Sequence, residues 1–190
     1  MLNRMHKIRR VMLIQPPGRC LIGKDGTITE RKHCHPPLGL AYLAAAAREA
    51  GYLVDVLDML AEGYNQERYT EQFVYYGLGV EEALSRIKVA DPDLIGISIL
   101  FSNLAAESFR LVEAIKMRFP KKIIVLGGHH PSAMPIKVMK RPEVDFVLTG
   151  EADETFVELC NALNGTRDLC DIRGLFHRNG NEIIDNQANV

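Results

Sequence analysis

A short apolar run that stops at two glycines, Ile123–Gly128 in IIVLGGHHPS, constrains this chain more than any other stretch. A β-rich run of that length, bounded by glycine, reads as a strand buried on both faces. Gly127 and Gly128 at its carboxyl end permit a tight turn and let a flat group approach the main chain unobstructed. Ligands of open α/β sheets sit at the carboxyl ends of the strands. One wall of a ligand crevice is therefore expected at Gly127–Ser132.

Four further runs behave similarly: Val11–Gln15, Leu53–Leu57, Leu94–Leu100 and Val144–Leu148. Helical patterns separate them. Leu38–Ala50 is rich in alanine and leucine, with Pro37 before it and Gly51 as its cap. Val80, Ala83, Leu84 and Ile87 have helical spacing, and that helix ends before Asp91-Pro92. Asn103 is placed to cap a helix striped by Leu104, Leu111, Val112, Ile115 and Phe119. A short helix is expected around Pro135–Lys140, and Phe156, Leu159, Cys160 and Leu163 stripe the last one. Strands alternating with helices give a three-layer α/β fold with a parallel sheet. Right-handed crossovers then leave the flavodoxin- or Rossmann-like order 2-1-3-4-5 for five strands. Gly174–Ile184, with Asn179-Gly180, reads as a β-hairpin appendage.

Two segments lie outside that alternation. Pro16–Pro36 reads as a polar loop of about 20 residues, a length usually reserved for function or disorder. Tyr64, Tyr69, Phe73, Tyr75 and Tyr76 concentrate aromatic side chains, and a satellite core is the favoured reading.

Composition narrows the partners. In 190 residues a core forms without disulfide or metal support. The net charge of −1 argues against nucleic acid and anionic membrane as partners. No apolar run approaches the ~20 residues of a membrane span. The basic start resembles a secretory signal, but Val11–Ile14 is too short for its apolar region. Cys20, Cys34, Cys160 and Cys170 are few and irregularly spaced, which fits reduced thiols in a cytoplasmic protein.

Four loops converge at the carboxyl edge: Pro16–Pro36, Phe101–Asn103, Gly127–Ser132 and Thr149–Ala152. QPPGRC after the first strand is neither a phosphate-binding loop nor a dinucleotide fingerprint. The prolines there also remove the main-chain donors a flavin phosphate needs. What remains is glycine, hydroxyls (Ser98, Ser102, Thr149, Thr155) and amides, which suits a large, mostly neutral ligand.

These stretches carry a resemblance. PPLGLAYLAAAAREAGYLVDVLD, DPDLIGIS, VLGGHHPS, VDFVLTGEADETFVEL and IRGLFHRNGNEI are similar to the amino-terminal cobalamin-binding domain of cobalamin-dependent radical S-adenosylmethionine enzymes. The resemblance implies a Rossmann-like domain over residues 1–172. Residues 173–190 would then hold the hairpin and the start of a linker to a radical S-adenosylmethionine barrel in cis. It implies cobalamin as cofactor, with S-adenosylmethionine and a [4Fe-4S] cluster in the downstream barrel, and methyltransferase- or cyclase-like chemistry. Gly127 and Gly128 match the family's Gly-Gly against the nucleotide tail, and Ser98 with Leu100 matches its Ser-x-Leu. Pro16, Pro17, Ser102, His129, Thr149, Gly150 and Glu151 complete the expected cofactor contacts.

Two departures qualify the match. Asp-x-His-x-x-Gly is absent after the first strand, so cobalamin is expected base-off without a histidine from that loop. Cys-x-x-x-Cys-x-x-Cys is also absent, the cysteines being 14, 126 and 10 positions apart, so radical chemistry requires another domain.

Each site has a blander reading. Gly127-Gly128 also makes a plain strand-to-helix turn, and Ser98 also satisfies its own strand end. Thr149–Glu151 also opens a helix with no ligand there. Of the adjacent His129 and His130, at most one faces the ligand. Cys20, His33, Cys34 and His35 make poor zinc geometry, so no metal is expected. The competing functions are an interaction domain with a degenerate pocket and a hydrolase using His129, His130 and Glu151. The second lacks an adjacent nucleophile.

Overall fold

The computed structural model describes residues 7–186. The basic start (1–6) and the expected linker segment (187–190) lie outside the described residues. The chain opens with β1 (Arg10–Gln15), β2 (Gly18–Leu21), α1 (Leu38–Glu49), β3 (Leu53–Asp58) and α2 (Met59–Glu62). It continues through β4 (Glu67–Tyr69), β5 (Phe73–Tyr76), α3 (Val80–Ala90), β6 (Leu94–Ser98) and α4 (Ala105–Arg118). Then come β7 (Ile123–Gly127), α5 (His129–Ala133), α6 (Pro135–Met139) and β8 (Phe146–Leu148). Last are α7 (Asp153–Leu163), β9 (Leu175–Asn179) and β10 (Glu182–Asp185).

Strands β3-β1-β6-β7-β8 run parallel in that order, the 2-1-3-4-5 arrangement expected from the alternation. The sheet has seven strands rather than five, because the hairpin is not an appendage. Strand β9 pairs antiparallel with β8 at Val147↔Phe176 and Leu148↔Leu175, and β10 follows it. The reason is apolar content: Leu175 and Phe176 are buried in the two halves of the core. The register Glu182↔Asn179 puts Gly180 and Asn181 in the turn, with Gly180 at φ +61°, one residue beyond the Asn179-Gly180 pair.

Strand alternation divides the core. Val11, Leu13, Leu94, Val125 and Leu148 face α1 and α7. Met12, Ile14, Ile95, Ile97, Ile124 and Leu126 face α3, α4 and α6. Phe156, Leu159, Cys160 and Leu163 form the buried stripe of α7, as their spacing requires. Burial pushes the Cys160 thiol up to about 12, which makes it an inert core group. Asn103 does not cap α4. It lies inside a 3₁₀ turn, Ser102–Leu104, and α4 starts at Ala105 with no side-chain cap.

The supposed long loop is partly structured. Strand β2 joins β5 and β4 in a separate antiparallel sheet. Cys20, Leu60 and Tyr76, with Tyr64 against them, form a satellite core, while Tyr69 is exposed and Phe73 and Tyr75 stay half-buried outside it, so the tyrosine-rich stretch supplies that core only in part. Gly18 faces Tyr76 across the ladder, and a Cβ there would lie 2.4 Å from the ring. Tyr76 in turn holds the segment before α1. Its hydroxyl accepts from the His33 amide at 3.1 Å and donates to the His33 carbonyl at 3.2 Å. The Lys32 ammonium donates to Glu67 at 2.7 Å and lies 4.5 Å over the Tyr64 ring. The small sheet thus fixes where α1 begins.

Candidate functional site

On the α1–α7 face, two inner strands of the parallel set end in small residues. Strand β6 presents Leu94, Gly96 and Ser98 in alternation, and β7 presents Ile123, Val125 and Gly127. The result is a hollow of about 680 Å³ at the carboxyl edge. Leu13, Gly96, Ser98, Val125, Gly127 and Leu148 make its floor. Gly39, Leu40, Tyr42 and Leu43 of α1 form one wall, and Asp153 and Phe156 of α7 the other. It spans the ends of β6, β7 and β8 and reaches Leu13 of β1, beside the β1–β6 junction at which the strand order reverses and ligands of such sheets bind.

Backbone bonds hold the rim. The Ile99 amide donates to the Gly127 carbonyl at 2.8 Å, and the His130 amide donates to the Ile99 carbonyl at 3.1 Å. The Gly150 amide donates to Ser132 Oγ at 3.0 Å, which ties the loop after β8 to α5. Gly128 has φ +101°, and a Cβ there would lie 2.7 Å from the Ile99 oxygen. Gly128→Ala is expected to cost about 1–3 kcal/mol through left-handed strain and overlap. Urea unfolding measures it, and an unchanged midpoint would show that the loop relaxes freely.

Of the expected contacts, Ser98, Leu100, Gly127, Gly128, His129, Gly150 and Glu151 line the hollow. Four stand elsewhere. Pro16 is buried. Pro17 lines a second hollow on the α3–α4 side with Met59 and Leu111. The Thr149 hydroxyl donates to the Gly174 carbonyl at 3.1 Å. Ser102 lies 2.8 Å through Oγ from His130 Nδ1.

The two histidines part company as their adjacency demands. His129 is exposed at the rim, while His130 is 8% exposed and turns inward. Burial, with Lys137 second, holds the His130 ring below the usual histidine range. In the Pro16–Pro36 segment Cys20 is buried in the small sheet, whereas His33 and His35 stack on each other at the surface, ring centroids 5.9 Å apart.

Gly39, Tyr42, Leu43, Gly96, Ser132, Asp153 and Phe156 were not among the expected contacts. Two carried a local signal: Gly96 inside a strand marks close approach of another group, and Gly39 interrupts an alanine-rich helix without making a turn. Asp153 and Glu151 put carboxylates on the rim. They accept hydrogen bonds from hydroxyls and amides but oppose a phosphate at the amino end of α7.

A mostly parallel α/β sheet with a hollow at its strand ends is the class of fold that binds ligands at that edge. The B12 binding domain family model matches residues 25–160, and the chain belongs to that family. It is 34% identical to the cytidylyl-2-hydroxyethylphosphonate methyltransferase of Streptomyces wedmorensis over 148 residues, which is 76% of this chain and 28% of that protein. It is 28% identical over 178 residues to the anaerobic magnesium-protoporphyrin IX monomethyl ester cyclase of a Synechocystis species, covering 93% of this chain and 32% of that one. Among solved structures, the radical S-adenosylmethionine methyltransferase TsrM from Kitasatospora setae, with cobalamin and a [4Fe-4S] cluster bound, superposes with a TM-score of 0.68. That match has 20% identity and covers 94% of this chain and 28% of TsrM. The chain thus spans about a third of the length of these curated relatives. No helix among the described residues is long and apolar enough to cross a membrane.

Proposed function

We propose that this chain is the cobalamin-carrying module of a radical S-adenosylmethionine enzyme, methyltransferase- or cyclase-like, with the barrel in the same polypeptide. The observation that carries the reading is the hollow itself: Gly96, Ser98 and Gly127 keep part of its floor open, Leu40, Leu43 and Phe156 give it apolar helix walls, and the polar groups of His129 and Glu151 stand at its rim. Its volume lies within the range of small-molecule sites and suits the nucleotide tail rather than the whole cofactor.

Bound cobalamin supplies a cobalt centre able to carry a methyl group. The chain's own residues bind and orient it. Gly127 leaves the floor open, and its Cβ position has only the Leu148 oxygen within 4 Å, at 3.7 Å. The Ser98 hydroxyl meets the base of the tail. Glu151 and Asp153 accept from ribose hydroxyls and side-chain amides, and His129 offers a further polar contact at the rim. Gln15-Pro16-Pro17 brings no imidazole to the end of β1, which supports base-off binding without a ligand from that loop. S-adenosylmethionine and the [4Fe-4S] cluster are assigned to the barrel.

The test is direct. Purified chain mixed with hydroxocobalamin and desalted is expected to retain corrin with a base-off visible spectrum. A folded chain that emerges colourless would sink the reading.

A further inference from the structure

Two loops shape the rim of the hollow, one after β6 and one after β7, and a side-chain bond joins them from behind. His130 Nδ1 lies 2.8 Å from Ser102 Oγ. The imidazole sits edge-on to Phe109 of α4, ring centroids 6.0 Å apart, in the half of the core that faces away from α1 and α7. Neither Ser102 nor His130 lines the hollow.

We propose that His130 and Ser102 are positioning residues, a clasp that fixes the two loops against each other and so sets the affinity for the cofactor tail. The inference rests on the cobalamin reading above. Its geometry is specific. Ser102 opens the 3₁₀ turn that follows Leu100, a rim residue, and His130 follows Gly128 and His129, two more. Gly128 touches Ile99 so closely that no side chain fits between them. The loops are therefore in direct contact, and releasing the turn at Ser102 shifts Leu100 and Gly128 together. Burial, with Lys137 second, favours the neutral ring, in which Nδ1 either accepts the Ser102 hydroxyl proton or donates to its oxygen according to the tautomer; the bond joins the two loops in both cases.

A merely structural bond would affect stability alone, so the experiment reads binding and stability separately. Hydroxocobalamin titrations followed by visible absorbance compare wild type, Ser102→Ala, Ser102→Thr and His130→Gln. Urea midpoints are measured on the cofactor-free proteins, and amide shifts of Gly127 and Gly128 by NMR. Ser102→Ala is expected to weaken binding about tenfold, the scale of one lost hydrogen bond. Its Gly127 and Gly128 amides should move in the cofactor-free protein, and its urea midpoint should fall slightly, as the loss of one half-buried hydrogen bond requires. Ser102→Thr, which keeps the hydroxyl, should restore affinity, and His130→Gln should weaken binding as Ser102→Ala does. Ser102→Ala binding within about twofold of wild type, or unmoved Gly127 and Gly128 amides, overturns the clasp and leaves the cobalamin reading standing. A wild-type chain that retains no corrin overturns both.

Discussion

Gly127→Phe is expected to lower corrin affinity by at least about 100-fold while the domain stays folded. Gly127 ends β7 on the same side as Val125, so a new side chain there points at α1 and α7, into the hollow. The backbone tolerates it, because the added Cβ makes an ordinary 3.7 Å contact with the Leu148 oxygen and Gly127 is not among the positive-φ glycines. A phenyl ring then occupies the volume between Ser98 and Phe156. A loss of 100-fold corresponds to about 2.7 kcal/mol, the scale expected for refusing one ring-sized group entry. Equilibrium dialysis against hydroxocobalamin gives the affinity and circular dichroism confirms the fold. Wild-type affinity in the variant would mean the cofactor lies elsewhere. Gly128 is the wrong position for this test, since any side chain there strains the loop whether or not a ligand binds.

Phe176→Ala should destabilise the domain by about 3–5 kcal/mol, the cost of emptying a fully buried aromatic site. Phe176 is 2% exposed, belongs to the core on the α3–α4 face, and sits opposite Val147 in the ladder. Urea denaturation measures the change. If β9 and β10 were peripheral, the substitution would lower stability by less than about 1 kcal/mol, and the seven-stranded sheet would lose its outer pair. The difference matters for the site. Gly174 at the start of the hairpin accepts from both the amide and the hydroxyl of Thr149, so the hairpin holds the loop that carries Gly150 and Glu151.

Much of this was legible because it is local. Five apolar runs separated by helical patterns were enough for the parallel order, since right-handed crossovers leave few alternatives. Gly127-Gly128 announced the loop, and the crowded tyrosines announced a second small core. Ser98 and Gly127 could be placed on one face by counting in twos. The rest depended on residues far apart in the chain. Strand β2 pairs with β5 across about fifty residues, as in Cys20↔Val74, and nothing within GRCL identifies its partner. The hairpin's docking onto β8 followed from Leu175 and Phe176 finding core on both faces of the sheet. Which of His129 and His130 turns inward was decided by the presence of Phe109 and Ser102 behind the loop.

By itself the amino-acid order determined the alternation of elements, the side-chain-poor strand ends and hence the kind of guest they admit. Those properties reside in neighbouring residues and in the two-residue period of a strand. Tertiary structure alone decided that Tyr42 of α1 and Asp153 of α7 wall the hollow, and that Pro16, Pro17, Ser102 and Thr149 do not. A cavity is the space left between elements, so its walls belong to helices brought together by packing rather than by sequence proximity.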